Sequence, residues 1–227
     1  MRVCVLFSGG KDSTLAAYEA MKDGHEIACL VSVISKSPES YMFHYPNIRL
    51  AKLQAKAMGF KIFTKETEGE KEKELKDLED ILRTVKKDEK IEGVVAGALA
   101  SKYQNTRIGR VCRKLGLKVI TPLWMKDPEE RWKSLLGYGF RVLITATACE
   151  GLNESWLGIE VKRSNLGRLV ALSKKHRFHL GGEGGEFETF VFDGPIFKKK
   201  IGIKTAKAEW EYDSGFYIIE KAVLLEK

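Results

Sequence analysis

Short apolar runs alternating with helical patterns constrain this chain more than any other feature. Val3-Cys4-Val5-Leu6-Phe7 opens the series and runs through Ser8-Gly9-Gly10-Lys11-Asp12-Ser13 into a helical pattern over Thr14–Met21. Residues 2–7, 26–34, 60–64, 91–96 and 118–120, rich in β-branched or aromatic side chains, read as strands. Helices are predicted over 12–22, 47–58, 70–87 and 104–115. Gly24, Gly59 and Gly116 stand where C-terminal caps belong, and Asn47 reads as an N-cap. This βαβα rhythm predicts an α/β fold, a doubly wound parallel sheet.

The rhythm changes after Thr121-Pro122. A helix over 128–136, a strand over 141–148 and a helix over 165–175 precede three strands, 187–192, 199–210 and 216–225. Tyr212-Asp213-Ser214-Gly215 reads as a tight hairpin between the last two. The expected organisation is a ligand-binding α/β domain at 1–122 and a smaller C-terminal α+β substrate domain at 123–227.

Composition narrows the function classes. No apolar run approaches the ~20 residues of a membrane span, and the first is too short for a signal peptide. Cys4, Cys29, Cys112 and Cys149 are scattered without a C-x-x-C pair, against a zinc ribbon, a disulfide framework or a dithiol site. A soluble cytoplasmic protein is expected. The formal net charge of +8 invites a nucleic-acid reading. However, Glu66 to Lys90 alternates both signs, as on a solvated helix. The unmatched charge lies in Arg107/Arg110/Arg113/Lys114, Lys174/Lys175/Arg177 and Lys198/Lys199/Lys200, and such clusters are more often solvated faces. Trp156 and Trp210 suit either core or interface, which leaves a homo-oligomer open.

Three stretches carry chemistry. Ser8–Ser13 lies between a buried strand and a helix N-terminus, where two glycines admit close backbone approach and first-turn N–H groups lack helical partners. Ser8 and Ser13 add hydroxyls and Lys11 a positive charge, so the segment reads as a phosphate cradle. It is not the G-x-x-x-x-G-K-[ST] loop, because Val5 stands five before Gly10 and Asp12 follows Lys11. The G-x-G-x-x-G dinucleotide fingerprint is absent too. Gly181-Gly182-Glu183-Gly184-Gly185-Glu186-Phe187-Glu188-Thr189 crowds three carboxylates into a glycine-rich loop entering a strand. A cation would relieve such repulsion: Mg²⁺ with ATP, an arginine, or a cationic substrate; the alternative is a surface turn with solvated acids. Gly97 to Arg107, past the fourth strand, brings small residues together with Tyr103, Gln104 and Arg107 at the carboxyl edge of the sheet.

The S-G-G-K-D-S segment resembles the loop of the PP-loop, or N-type, ATP pyrophosphatases, whose fold is adenine nucleotide alpha hydrolase-like. With Tyr41-Met42-Phe43-His44, Gly93–Ala98, Tyr103-Gln104, Arg107, Leu123-Trp124, Gly151-Leu152, Leu157-Gly158, His179 before G-E-G-G-E-F-E-T, and Asp193 to Ile201, it resembles the diphthamide synthases, or diphthine–ammonia ligases. The resemblance implies ATP-dependent amidation of diphthine on elongation factor 2. An acyl-adenylate would form with release of pyrophosphate, and ammonium would supply the nitrogen. It implies ATP contacts from Ser8, Gly9, Gly10, Lys11, Asp12, Ser13, Gly97, Tyr103, Gln104 and Arg107, with adenine near Val31–Ser35. Mg²⁺ would be held at Asp12. Catalytic roles would fall to Lys11, Glu183, Glu186 and Glu188, and substrate contacts to His44, His179 and Thr189. One or more of the glutamates would receive the diphthine trimethylammonium or a proton from ammonium. Relatives often carry cysteine where Gly181 stands, so a thiol there is not required. The absence of a glutaminase or fungal-type extension suits an archaeal, single-activity form.

Two rivals remain. A PP-loop tRNA-modifying enzyme would use the positive charge, although the cysteines are poorly placed for thiolation. A nucleotide-binding sensor would need no turnover, and AMP formation separates it from the ligase.

Overall fold

Strand β1 (Arg2–Leu6) is central to the first half of the molecule, and its position fixes where a ligand can sit. The computed structural model describes residues 1–35, 47–68, 71–97 and 102–227. Around β1 a five-stranded sheet forms from β2 (Glu26–Ser35), β3 (Ile62–Thr67), β4 (Gly93–Val95) and β5 (Lys118–Ile120), in the order β3-β2-β1-β4-β5. Every pairing is parallel. Parallel strands need helical crossovers, which cover both faces and require strands apolar on both sides. Val3, Cys4 and Val5 are accordingly all fully buried.

One face of the sheet, through Cys4, Cys29, Val31 and Val33, packs on α3 (Lys71–Glu89) and α4 (Lys102–Lys114). Helix α1 (Lys11–Lys22) packs against β1, β2 and β4, where Ala16, Ala17 and Ala20 bring its backbone close to the strands. The predicted doubly wound parallel sheet is the fold found. Two local expectations are corrected. The stretch 70–87 is more than a solvated helix, since Leu78, Ile81, Leu82 and Val85 form a buried stripe at helical spacing between its charges. Asn47 does not cap an α-helix: it begins a 3₁₀ turn, Asn47–Leu50, that runs into α2 (Ala51–Met58).

The chain divides into two compact units, Met1–Met125 and Lys126–Lys227. In the second, β6 (Arg141–Thr147) pairs antiparallel with β8 (Phe187–Asp193), and also with β7 (Glu160–Val161) and β10 (Ser214–Leu225). β10 forms a long hairpin with β9 (Lys200–Glu211). The hairpin turns through Tyr212, whose φ of +55° is left-handed. Helices α5 (Pro128–Gly137) and α6 (Arg163–His176) complete the unit. Trp156 is core, in a short 3₁₀ turn that the sequence reading did not contain, and β7 was likewise not expected. Two-residue β7 is too short to show a period of its own. Among the described residues, no helix is long and apolar enough to cross a membrane.

Candidate active site

Strand order reverses between β1 and β4, and in open parallel sheets a crevice lies at that point beyond the carboxyl ends of the strands. Both glycine segments of the first unit converge there. Gly9 adopts φ +83°, and a Cβ on it would collide with Gln54 Oε1. Gly10 is the N-cap of α1 and offers no side chain to its first-turn N–H groups. Gly97 follows β4 so closely against α1 that a Cβ would sit 3.1 Å from the backbone of Asp12 and Ser13. Glycine is therefore needed at 9 for conformation and at 97 for close approach.

The side chains of the turn bond to one another and to the turn's own backbone. Ser13 Oγ lies 3.1 Å from Ser8 Oγ and donates to Gly10 O at 3.2 Å, while Thr14 Oγ1 donates to the same carbonyl at 2.9 Å. Lys11 is 7 % exposed and pairs with Asp12 Oδ2 at 2.6 Å. A lysine is rarely so buried without a paired charge. Gln54, fully buried on α2, donates from Nε2 to Gly9 O at 2.8 Å and so holds the turn from behind. The sequence reading missed Gln54. Its signal was a glutamine set among the apolar positions of a helix.

The turn thus presents a glycine-lined helix start whose first-turn N–H groups meet no side-chain cap, an arrangement that suits an anion. Asp12 supplies one hard oxygen ligand, and Mg²⁺ usually takes one or two carboxylates together with substrate phosphates. The donor set therefore fits a magnesium–nucleotide complex. It does not fit a free-standing metal site, and no cluster of three or more metal-ligating side chains occurs among the described residues.

The acidic loop of the second unit is built differently. Glu186 folds back so that Oε1 accepts from His179 N at 3.0 Å and Oε2 from Gly184 N at 2.8 Å. Glu183 pairs with Arg131 NH2 at 2.6 Å, both side chains being largely buried. The loop closes through Gly182 N to His179 O, and its end joins the sheet through Ala148 N to Glu186 O, both at 2.8 Å. Gly182 needs its φ of +69°, and a Cβ there would meet Phe187 O at 2.8 Å. Glu188 and Thr189 lie on β8 opposite Ala146 and Ile144. The exposed His179 ring lies over Gly181.

Of the remaining expected site residues, Arg107 is half-buried on α4, whose first turn holds the backbone of Tyr103 and Gln104. His44 and the Tyr41–Phe43 segment lie outside the described residues. Arg131 and Trp132 went unnoticed in the sequence, because their partners are 48 or more positions away. Cys149 stands close to Glu186, and burial, helped by that carboxylate, pushes its thiol up to about 11.

Comparisons with known proteins place both units. The diphthamide synthase N-terminal domain model matches residues 1–119, and the C-terminal domain model matches 127–225. A diphthine–ammonia ligase of Rattus norvegicus is 34% identical over 231 residues, covering 92% of this chain and 85% of its own length. One from Schizosaccharomyces pombe is 31% identical; the match spans the whole chain but 40% of that longer protein. A looser likeness is to the U34-tRNA thiolase NcsA of Methanococcus maripaludis. It is 16% identical with a TM-score of 0.40, over 81% of this chain and 69% of that one, and no chemistry transfers across it. With both of its domain models matched in order, the chain belongs to the diphthamide synthase family.

Proposed function

We propose that this protein is a diphthine–ammonia ligase, an ATP-dependent enzyme that amidates diphthine on elongation factor 2 with free ammonium. The observation that carries the reading is the pairing of the two family domains with an uncapped, glycine-lined helix start at the switch point of the first. Ser8, Gly9, Gly10, Lys11 and Ser13 hold the β- and γ-phosphates of ATP, with the Gly97 segment alongside. The adenine lies against the backbone of Val31–Ser35, and Tyr103, Gln104 and Arg107 complete the nucleotide contacts.

The diphthine carboxylate oxygen attacks the α-phosphorus, and the bond from that phosphorus to the β-phosphate oxygen breaks. Pyrophosphate leaves into the cradle, where Lys11 and the first-turn N–H groups stabilise the charge developing on it. Asp12 would hold a magnesium ion accompanying ATP, which would supply further neutralisation of that charge, while Lys11 turns to the phosphates. Ammonia then adds to the acyl carbon, AMP departs and the nitrogen loses a proton.

The acidic loop suits the cationic partners of this reaction. Glu183, Glu186 and Glu188 give this segment its acidic character, with Glu183 paired to Arg131, and acidic groups favour the diphthine trimethylammonium and ammonium. Glu188, Thr189, His179 and His44 are the proposed substrate contacts, while Glu183 and Glu186 act chiefly through the loop they shape.

The test is nucleotide product analysis with Mg-ATP and ammonium, with and without elongation factor 2 bearing diphthine, and with bulk tRNA in parallel. AMP, pyrophosphate and amide in proportion, only with the diphthine protein, are the expected result. AMP with tRNA alone would move the function to RNA modification. No AMP in either, despite tight ATP binding, would make the protein a sensor.

A further inference from the structure

Helix α5 lays two consecutive side chains against the acidic loop. Its start is rigid, with Asp127 Oδ1 accepting from Glu129 N and Glu130 N and Pro128 in the first turn. Arg131 and Trp132 follow directly, 6 % and 1 % exposed. Trp132 Nε1 donates to Leu180 O at 3.0 Å, and its ring stacks on Phe187, centroids 6.3 Å apart. Both ends of the loop are thereby fixed to one helix residue. Arg131 holds the middle. Its NH2 reaches Glu183 Oε1 at 2.6 Å, and a Cβ at Gly181 would stand only 3.0 Å from that same nitrogen.

A buried guanidinium at this place has two consequences. Glu183 has its compensating cation from within the fold, so the loop takes its shape before any substrate arrives. The staple from Glu186 to His179 N and Gly184 N then closes the remaining turn. From this geometry we infer that Arg131 is a positioning residue for the amidation, setting the loop that receives diphthine, the acceptor of the adenylyl group, while leaving ATP binding alone. The inference rests on the ligase reading of the acidic loop. Charge compensation alone would be a lesser role, and the two differ in what happens when both partners are removed. Replacing both halves of a buried ion pair with apolar residues restores stability where removing one half does not. It does not restore a lost anchor.

The experiment uses the full chain with Mg-ATP, ammonium and diphthine-bearing elongation factor 2. It compares Arg131→Met, Arg131→Lys and the double variant Arg131→Met/Glu183→Met. The readouts are Tm, KM for each substrate, kcat, and amide hydrogen exchange at Gly182 and Gly184. Arg131→Met should raise KM for the acceptor about tenfold or more, leave KM for ATP within about twofold, and speed both amides about tenfold; these are order-of-magnitude expectations for one lost charge-assisted contact. Arg131→Lys should recover part of the acceptor KM, because an ammonium can pair with Glu183 but lacks the guanidinium fork. The double variant should recover Tm without recovering the acceptor KM. Recovery of both together would reduce Arg131 to charge compensation and overturn the inference, as would an unchanged acceptor KM in folded Arg131→Met. Should Arg131→Met fail to fold, the lysine and double variants decide by the same criteria. A wild-type protein making no AMP with the diphthine substrate defeats the ligase reading separately. Exchange at Gly182 and Gly184 then decides alone whether Arg131 fixes the loop.

Discussion

The cradle at Ser8–Ser13 and the loop at Gly181–Thr189 are both glycine turns at the edge of a sheet, yet they manage backbone polarity in opposite ways. In the cradle the N-cap is a glycine, and Ser13 and Thr14 turn their hydroxyls onto Gly10 O, so no side-chain acceptor caps the start of α1. In the loop a carboxylate takes the N–H groups for itself, Glu186 accepting from His179 and Gly184. The first arrangement leaves a site for an anion. The second removes one. Glycine content alone therefore says little about ligand sign; the side chain that reaches the freed N–H groups decides it.

The largest expected effect falls on the cradle. Lys11→Met removes its full positive charge and should slow pyrophosphate release by roughly 10²–10³-fold, the usual cost of losing one transition-state donor. Release at the wild-type rate would break the contrast, since the cradle would then need no lysine. Glu186→Gln comes next. It sets an amide N–H against a backbone N–H, and losing one hydrogen bond to a charged group costs about 1.5–3 kcal/mol, or roughly 10- to 100-fold. Amidation should fall by that much while the Kd for ATP holds constant. An equal loss of ATP affinity would show that the two regions do not divide the work.

Gly9→Ala sharpens the cradle side. The positive φ costs about 1–2 kcal/mol for a side chain, before the collision with Gln54 is counted. ATP affinity should drop about tenfold, and adding Gln54→Ala should restore only the collision's share. Full restoration would mean that φ at Gly9 is not what the turn requires.

The smallest effect concerns the thiols between the sheet and its helices. Burial pushes Cys29 up to about 12 and Cys112 up to about 11, from an ordinary value of 9.0. Folded pKa values above the unfolded ones mean that this stabilisation is complete below pH 9. It is lost as pH rises from there through 11 and 12. Denaturant midpoints should be flat to pH 9 and then decline, by at most about 1.4 kcal/mol per thiol per pH unit. Cys29→Ala and Cys112→Ala should each flatten that decline; an unchanged alkaline limb in both would place its origin elsewhere.

The first unit was legible in the sequence because its signals are local. A strand buried on both faces of a parallel sheet, as β1 is, reads as a continuous apolar run, and a crossover helix shows a period of its own, so element type and order follow from short windows. Where reading failed, two local signals competed. In α3 the alternating charges masked a buried stripe from Leu78 to Val85, and at Asn47 an N-cap residue proved to begin a 3₁₀ turn. The cradle was equally visible, since strand, turn and helix are contiguous there.

The sequence by itself determined the parallel α/β rhythm, the position of the glycine turn before α1 and the presence of an unusual cluster of acids. Only the tertiary structure decided what those acids bond to. The partners are Arg131 for Glu183, brought to it by how α5 and the loop fold against each other, and the amides of His179 and Gly184 for Glu186, brought to it by the turn of the loop itself. It also decided that Gln54 braces Gly9 and that Gly97 lies against α1. Those contacts join residues 45 and more positions apart. A charge or hydrogen bond acts over a few ångströms of space, and sequence spacing carries no record of such distances once the chain has turned back on itself.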